Sequence, residues 1–264
     1  MTIFKGYANF NEAIFEEGRG KSASFTLVIF EEDADFNKAI FRGFASFHDV
    51  IFKGEVGFEM TTFEEASFEA IFKRLASFSR STFENMVGFG KSTFEGVANF
   101  TDATFKYSAG FHAITFKGEA LFSGAKFGSI TTFEWTTFEE DADFGWVTFK
   151  GDAEFEGATF EGDAWFGWAT FEGDAIFNKA TFKRDAKFER ATFKGEVSFE
   201  NATFEGILNF QGLKSSEYKL DFSNTKFGRG VFIDNIPSEW FKLPSAEAEA
   251  CRVQRISYER EGKK

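Results

Sequence analysis

The stretch Phe155-Glu-Gly-Ala-Thr-Phe160-Glu-Gly-Asp-Ala-Trp-Phe166 shows the rhythm of the whole chain. Its phenylalanines are spaced five and then six positions apart, so the repeating unit has a length of eleven. All but two of the 43 phenylalanines follow this spacing from Phe4 to Phe232, with a few interruptions. A repeat this regular predicts a stack of near-identical structural units rather than a fold built around a pocket.

The period of the small and apolar residues favours strands over helices. An eleven-residue repeat is also typical of a right-handed coiled coil, but at about 98° per residue these positions would not share one helix face. The residue two before nearly every Phe is small or β-branched, as in Ala8-Asn-Phe10 and Ala180-Thr-Phe182. Because residues i and i−2 of a strand share a face, both point inward. Short strands joined by frequent corners predict a β-solenoid.

These units resemble the pentapeptide-repeat family, whose unit is Ala-(Asp/Asn)-(Leu/Phe)-x-x, over roughly residues 4–232. The chain is similar to the Phe-centred branch of that family, with one residue added to every second unit. The resemblance implies an all-β fold, a right-handed quadrilateral parallel β-helix. Four sides of alternating length, five and then six, complete one coil in twenty-two positions. We therefore expect about ten coils and, at about 4.8 Å per coil, a rod about 50 Å long.

Phenylalanines of successive coils are predicted to stack inside the rod. The expected core ladder contains Phe144, Phe149, Phe155, Phe160, Phe166, Phe171, Phe177 and Phe182. The extra residue lies in corners of the form Phe-x-Gly-(Asp/Glu)-(Ala/Val), as at Gly151 and Gly173. We expect these glycines to take the positive φ of a tight corner and the Asp side chains to bond nearby amides.

The rhythm is interrupted in three places. An insertion between residues 15 and 25 predicts a bulge rich in glycine and charge. Steps of five and four positions within 63–72 predict a kink or a squared-off coil. Over 210–222, Leu213 and Tyr218 lie near the missing Phe positions, which predicts a fraying last coil.

Two segments are predicted: a repeat domain over 1–236 and a C-terminal tail over 237–264. Residues 246–261 have the composition of a helix, which we expect to cap the last coil; a helix-mediated dimer is the alternative. At the other end Phe4 is already a core residue, so the first coil begins almost uncapped. This predicts end-to-end self-association into a homo-oligomer, and it equally fits a chain cut from a longer protein.

The composition limits partners and location. The net charge of −12 argues against direct binding to nucleic acid or to anionic lipid. The single Cys251 gives no disulfide framework and fits a reducing compartment. The start of the chain has no apolar leader, and no apolar run is long enough to cross a membrane. These features predict a cytoplasmic protein.

No arrangement of residues predicts catalysis or a cofactor. His48 and His112 each follow a Phe directly, so both are expected on the surface. The chain has no phosphate-binding loop and no Cys/His spacing typical of a metal site. We therefore expect a protein that is not an enzyme and that has no cofactor.

Acidic residues form columns at the spacing of one coil. One column contains Glu119, Asp141, Asp163 and Asp185, and a second contains Asp152, Asp174 and Glu196. Stacked like charges are unfavourable unless cations or amides offset them, so the first column is a weak candidate for a calcium site. The alternative is that each Asp caps its own corner and is solvated.

Tryptophans form the second surface feature. Trp135, Trp146 and Trp168 each occupy the second position after a Phe, and Trp165 lies on an adjoining side. Exposed together, they would form an apolar patch for a protein partner. Alternatively, their side chains fold back over neighbouring coils and shield the backbone.

The leading hypothesis for function is a non-enzymatic, acidic structural or interaction scaffold whose protein partner is unknown. The family resemblance implies an alternative, because some members imitate duplex DNA and bind or protect gyrase-type topoisomerases. A calcium-binding structural rod is a further alternative, and it depends on the acidic columns.

Overall fold

The computed structural model of the protein describes residues 1–16, 22–215 and 220–232 and the strand Phe241–Lys242. Every regular element in these residues is a β-strand, and most of the strands are very short. Each strand pairs in parallel with its equivalent one coil away, as Thr137–Phe138 pairs with Thr159–Phe160. The predicted all-β parallel solenoid of about ten turns is therefore confirmed. The predicted capping helix over 246–261 lies outside the described residues.

Each coil has four sides, numbered 1 to 4 in chain order. Side 1 contains Thr2–Phe4, Val28–Phe30, Thr93–Phe94, Thr115–Phe116, Thr137–Phe138, Thr159–Phe160, Thr181–Phe182, Thr203–Phe204 and Lys226–Phe227. Side 2 contains Ala8–Asn9, Ala34–Asp35, Val56–Gly57, Ala76–Ser77, Ala98–Asn99, Ala120–Leu121, Ala142–Asp143, Ala164–Trp165, Ala186–Lys187, Ile207–Asn209 and Gly230–Phe232.

The other two sides follow the same order along the rod. Side 3 contains Ile14–Phe15, Thr82–Phe83, Thr104–Phe105, Lys126–Phe127, Thr148–Phe149, Thr170–Phe171, Thr192–Phe193 and Lys214–Ser215. Side 4 contains Ala23–Ser24, Val87–Gly88, Ala109–Gly110, Thr131–Thr132, Ala153–Glu154, Ala175–Ile176, Val197–Ser198, Leu220–Asp221 and Phe241–Lys242. Two longer strands, Ile40–Phe52 and Thr62–Phe72, run without interruption through sides 3, 4 and 1.

The core is a set of phenylalanine columns with alanine between them. Phe144 stacks on Phe122 and on Phe166, with ring centroids 4.9 Å apart in both pairs. It also meets Phe155 edge to face at 5.5 Å, across the interior. The eight predicted ladder residues are all at most 1 % exposed. Stacked and edge-on contacts are the geometries that aromatic rings prefer, so the columns support one another.

Corners that follow sides 2 and 4 are four-residue turns. In the turn from Phe155, the N–H of Ala158 donates to the carbonyl oxygen of Phe155 at 3.1 Å. All the non-glycine residues with positive φ in the described structure occupy the third position of these turns. Positive φ at this position is the requirement of a type II turn.

The other two corners contain the repeated glycines, and here the expected reason for glycine is wrong. Gly151 and Gly173 are not among the residues with positive φ. Instead, a Cβ at Gly173 would lie 2.5 Å from the carbonyl carbon of Gly151 in the coil below. Glycine is needed because successive backbones approach closely, not because the corner needs a left-handed conformation.

The short coil keeps its rings in register. Phe68 still stacks on Phe47 and on Phe89, both at 4.7 Å. The coil is shorter at its corners. There Thr62–Phe72 forms one continuous strand, and its register with Ile40–Phe52 shifts at two points. Phe44, one of the two phenylalanines outside the spacing, is 39 % exposed in that region.

The two ends of the solenoid differ from its middle. Phe4 and Phe15 in the first coil are only partly buried, whereas Phe30 in the second coil is fully buried. Near the other end, Leu213 packs partly buried against the core. Residues 17–21 of the first predicted interruption, and Tyr218 of the third, lie outside the described residues. Strand Phe241–Lys242 pairs with Leu220–Asp221, beyond the predicted end of the repeat at 236.

Gly173→Ala should lower the free energy of unfolding by about 1–3 kcal/mol, because the added methyl group must push two backbones apart. Gly167→Ala is the matched control, since its Cβ would meet nothing nearer than a carbonyl oxygen at 3.7 Å. Urea denaturation followed by circular dichroism measures both values. Equal stability of the two variants would contradict the close-approach explanation.

Candidate functional site

The four predicted patch tryptophans do not lie together. Trp146 and Trp168 occupy the corner between sides 2 and 3, and Trp165 lies on side 2 beside them. Trp135 occupies the corner between sides 4 and 1, which is diagonally opposite. The structure therefore brings three of the tryptophans to one edge of the rod and separates the fourth from them.

Trp135 folds over its neighbouring coil. A Cβ added at Gly157, one coil further on, would lie 2.5 Å from Cε3 of the indole. The ring therefore covers backbone at a position where the next coil has no side chain. This is the arrangement that the shielding alternative describes.

Trp146 and Trp168 form a stacked pair in an uncommon backbone conformation. Their ring centroids are 5.0 Å apart with planes 8° from parallel. Their φ angles are 53° and 56°, a region that bulky residues rarely adopt. Asn201 and Asn224 occupy the equivalent turn position elsewhere, and asparagine tolerates this conformation well.

Two basic residues complete this edge. The ammonium of Lys187 lies 3.6 Å from the ring centroid of Trp165 and donates to Oδ2 of Asp163 at 2.7 Å. The guanidinium carbon of Arg190 lies 5.3 Å from the ring of Trp168. Both distances are typical of cation–π contacts.

We call the set Trp146, Trp165, Trp168, Lys187 and Arg190 the tryptophan edge. Sequence reasoning missed its two basic members. The signal was present, because Lys187 and Arg190 each come one full coil after Trp165 and Trp168 in the sequence.

The acidic columns are hydrogen-bonded to backbone amides. Oδ1 of Asp141 accepts from the N–H of Asp163 at 2.8 Å, and Oδ1 of Asp163 accepts from the N–H of Asp185 at 3.2 Å. Asp185 in turn accepts from the N–H of Ile207 at 2.9 Å. The amide partner thus lies one coil further on rather than in the residue's own corner. A charged acceptor forms a stronger hydrogen bond than a neutral one, which offsets the repulsion within the column.

The second column repeats this arrangement. Asp152 accepts from the N–H of Asp174 at 3.0 Å, and Asp174 accepts from the N–H of Glu196 at 2.8 Å. In the described part of the chain, the side chain of Glu119, the fourth member of the candidate calcium column, forms no such bond. Across the described ranges, no group of three or more His, Cys, Asp or Glu side chains has the geometry to hold a metal ion.

Other outward positions carry ion pairs between coils. Lys183 binds Glu161 at 2.6 Å, and Lys194 binds Glu172 at 2.9 Å. The hydrogen bond from Lys194 lowers the pKa of Glu172, and the hydrogen bond to Glu161 raises the pKa of Lys183. These exposed pairs stabilise the register only weakly.

Asp185→Ala should lower the free energy of unfolding by about 1–2 kcal/mol, because the partly buried N–H of Ile207 loses its acceptor. Asp185→Asn keeps an acceptor oxygen and should lose less. Chemical denaturation of both variants gives the comparison. Equal losses would show that the charge, rather than the bond to the amide, matters at this position.

Glu154 is a half-buried acid on side 4. Burial raises its pKa, and Glu134, Asp152 and Glu156 raise it further. A pKa that is higher in the folded protein than in the unfolded chain means that the ionised carboxylate disfavours folding. The protein therefore loses stability as the pH rises through the folded-state pKa of Glu154. Glu154→Gln should therefore raise the melting temperature at neutral pH.

The gain from Glu154→Gln should disappear at about pH 3.5, where both carboxyl and amide are neutral. Glu161→Gln is the control, because Glu161 binds Lys183 at 2.6 Å and its removal should give no gain. A stabilisation by Glu154→Gln that persists at low pH would refute the electrostatic cause.

The chain is a β-solenoid repeat protein, with parallel strands on four sides and a solid aromatic core. The family model described as pentapeptide repeats (9 copies) matches residues 20–62, 68–115, 111–158, 147–192 and 169–213. These segments cover well over half of the chain, which therefore belongs to the pentapeptide-repeat family. A search of curated proteins and a search of solved structures each returned no match.

Proteins with this fold are in general structural or interaction scaffolds rather than enzymes. Within the residues that the structure describes, no helix is long and apolar enough to span a membrane.

Proposed function

We propose that this protein is a non-enzymatic scaffold that binds a protein partner through the tryptophan edge. The observation that supports this most is that three exposed indoles lie together on one edge of the rod, two of them stacked face to face. A cluster of exposed large aromatic side chains marks an interaction surface.

The edge has the properties of a binding surface. Trp146, Trp165 and Trp168 are 61 %, 43 % and 45 % exposed, although large aromatic side chains are usually covered. Tryptophan and arginine are the residues that most often dominate the energetics of protein interfaces. Because the indoles stand on hydrogen-bonded coils, little ordering entropy is lost when a partner binds.

The other hypotheses stay predictions. A DNA-mimic role would require competition with duplex DNA for a gyrase-type topoisomerase, and a calcium-bound rod would require a melting temperature that rises with calcium. Self-association through the first coil would appear as concentration-dependent mass in light scattering. No specific contact in the described structure favours any of these over the scaffold.

The scaffold proposal is tested with Trp146→Asn/Trp168→Asn, and Trp135→Asn is the matched control. Asparagine suits the positive φ of all three positions, so folding should be retained, as circular dichroism will show. Each protein is used to capture partners from a lysate of the source cells, and a captured protein is then purified and titrated. The double variant should weaken binding by at least about tenfold, and the control should not. Equal binding by both variants would contradict a role for the edge.

A further inference from the structure

We propose that the partner inserts an arginine side chain beneath Trp146, between the open face of its indole and the carboxylate of Asp102. This inference rests on the proposed function, because it names the chemistry that the tryptophan edge recognises. The site is formed by Trp146, Gly124 and Asp102, which we call the Trp146 slot.

One column of turn residues defines the slot. From lower to higher coils, the corner between sides 2 and 3 carries Asp102, Gly124, Trp146, Trp168 and Arg190. Trp168 covers the upper face of Trp146, and Arg190 covers Trp168. Below Trp146 comes Gly124, which has no side chain. The column therefore has a gap one coil high, and Asp102 and Trp146 are about 10 Å apart along the rod at the usual strand spacing.

The roof of the slot is an unoccupied aromatic face. Trp146 is the most exposed of Trp135, Trp146, Trp165 and Trp168. Within the described part of the chain, Trp168 is the one aromatic or cationic group in contact with its ring. An indole face attracts cations electrostatically, and it does so more strongly than other aromatic side chains.

The floor of the slot is the carboxylate of Asp102. Oδ1 of Asp102 lies 2.5 Å from the place where a Cβ of Gly124 would be, so the carboxylate reaches up into the gap. The structure shows no hydrogen bond or ion pair for this carboxylate among the described residues. Asp141, Asp163 and Asp185 differ, since each of them accepts a backbone N–H.

The chain itself shows which ligand this combination holds. Lys187 places its ammonium between the ring of Trp165 and the carboxylate of Asp163, at 3.6 Å and 2.7 Å. Arg190 lies over Trp168 in the same column as the slot. A cation between an indole and an aspartate is thus already present one column away. In the Trp146 slot, the chain supplies the indole and the aspartate, and the cation must come from outside.

Arginine fits this gap better than lysine. A guanidinium stacks on indole faces and has five N–H donors with which to reach the carboxylate, whereas an ammonium is a point charge with three. It is also more weakly hydrated than an ammonium, so it loses less when it leaves water. The net charge of −12 draws a basic partner to the rod.

The test is a titration of the ¹⁵N-labelled protein with N-acetyl-arginine amide, followed by the indole N–H signals in NMR spectra. Trp146→Asn identifies the Trp146 signal by its loss. That signal should shift saturably at millimolar ligand, the Trp135 signal should not, and N-acetyl-citrulline amide should have no effect because it has no charge. Asp102→Asn should weaken binding about two- to fivefold, in the range of exposed ion pairs. Gly124→Asn, which fills the gap with a residue suited to its φ of 69°, should abolish binding.

The proposal is overturned if the Trp146 signal does not shift saturably, or if citrulline or N-acetyl-lysine amide binds as well as arginine. It is also overturned if Asp102→Asn and Gly124→Asn, shown to be folded by their unchanged Trp135 signals, bind like the original protein. A partner that depends on Trp146 without arginine binding would defeat this inference and leave the scaffold role intact. Arginine binding at the slot, with no partner that depends on the tryptophan edge, would support the arginine site and contradict the scaffold role.

Discussion

The structure depends on the match between two distances. Parallel strands of adjacent coils lie about 4.8 Å apart, and this is also the separation at which the phenylalanine rings stack. Phe83 and Phe105, for example, stack at 4.8 Å with planes 1° apart. Because ring stacking and backbone hydrogen bonding need the same spacing, each coil must place its rings above those of the previous one. The columns therefore set the register of every coil.

The short coil shows that the stacked ring columns are kept even when the number of residues in a coil changes. Between Phe58 and Phe78 the chain is shorter than a regular coil by two positions, yet Phe58, Phe63, Phe68 and Phe72 all remain stacked on the next coil. The corners absorb the change instead. Outward residues do not pack in the core, so the tryptophan edge can extend over three coils without disturbing the repeat.

The strands, the inward residues and the coil length could be predicted from the sequence because they follow from the phenylalanine spacing alone. The role of glycine could not, because it depends on how closely the backbones of successive coils approach. The separation of Trp135 from Trp146 could have been predicted, because the two residues are eleven positions apart, which is half of a coil. The spacing of one coil predicts which residues are stacked, but which face of a ring stays open depends on the side chains themselves.

Hydrogen exchange of the phenylalanine amides tests most directly whether the stacked columns hold the rod together. If the columns are continuous, Phe68 and Phe72 in the short coil should be protected as strongly as Phe144 in a regular coil, within about tenfold. Exchange at Phe68 and Phe72 that is faster by several orders of magnitude would mean that the rod is broken there and that regular coils, rather than continuous columns, determine the fold.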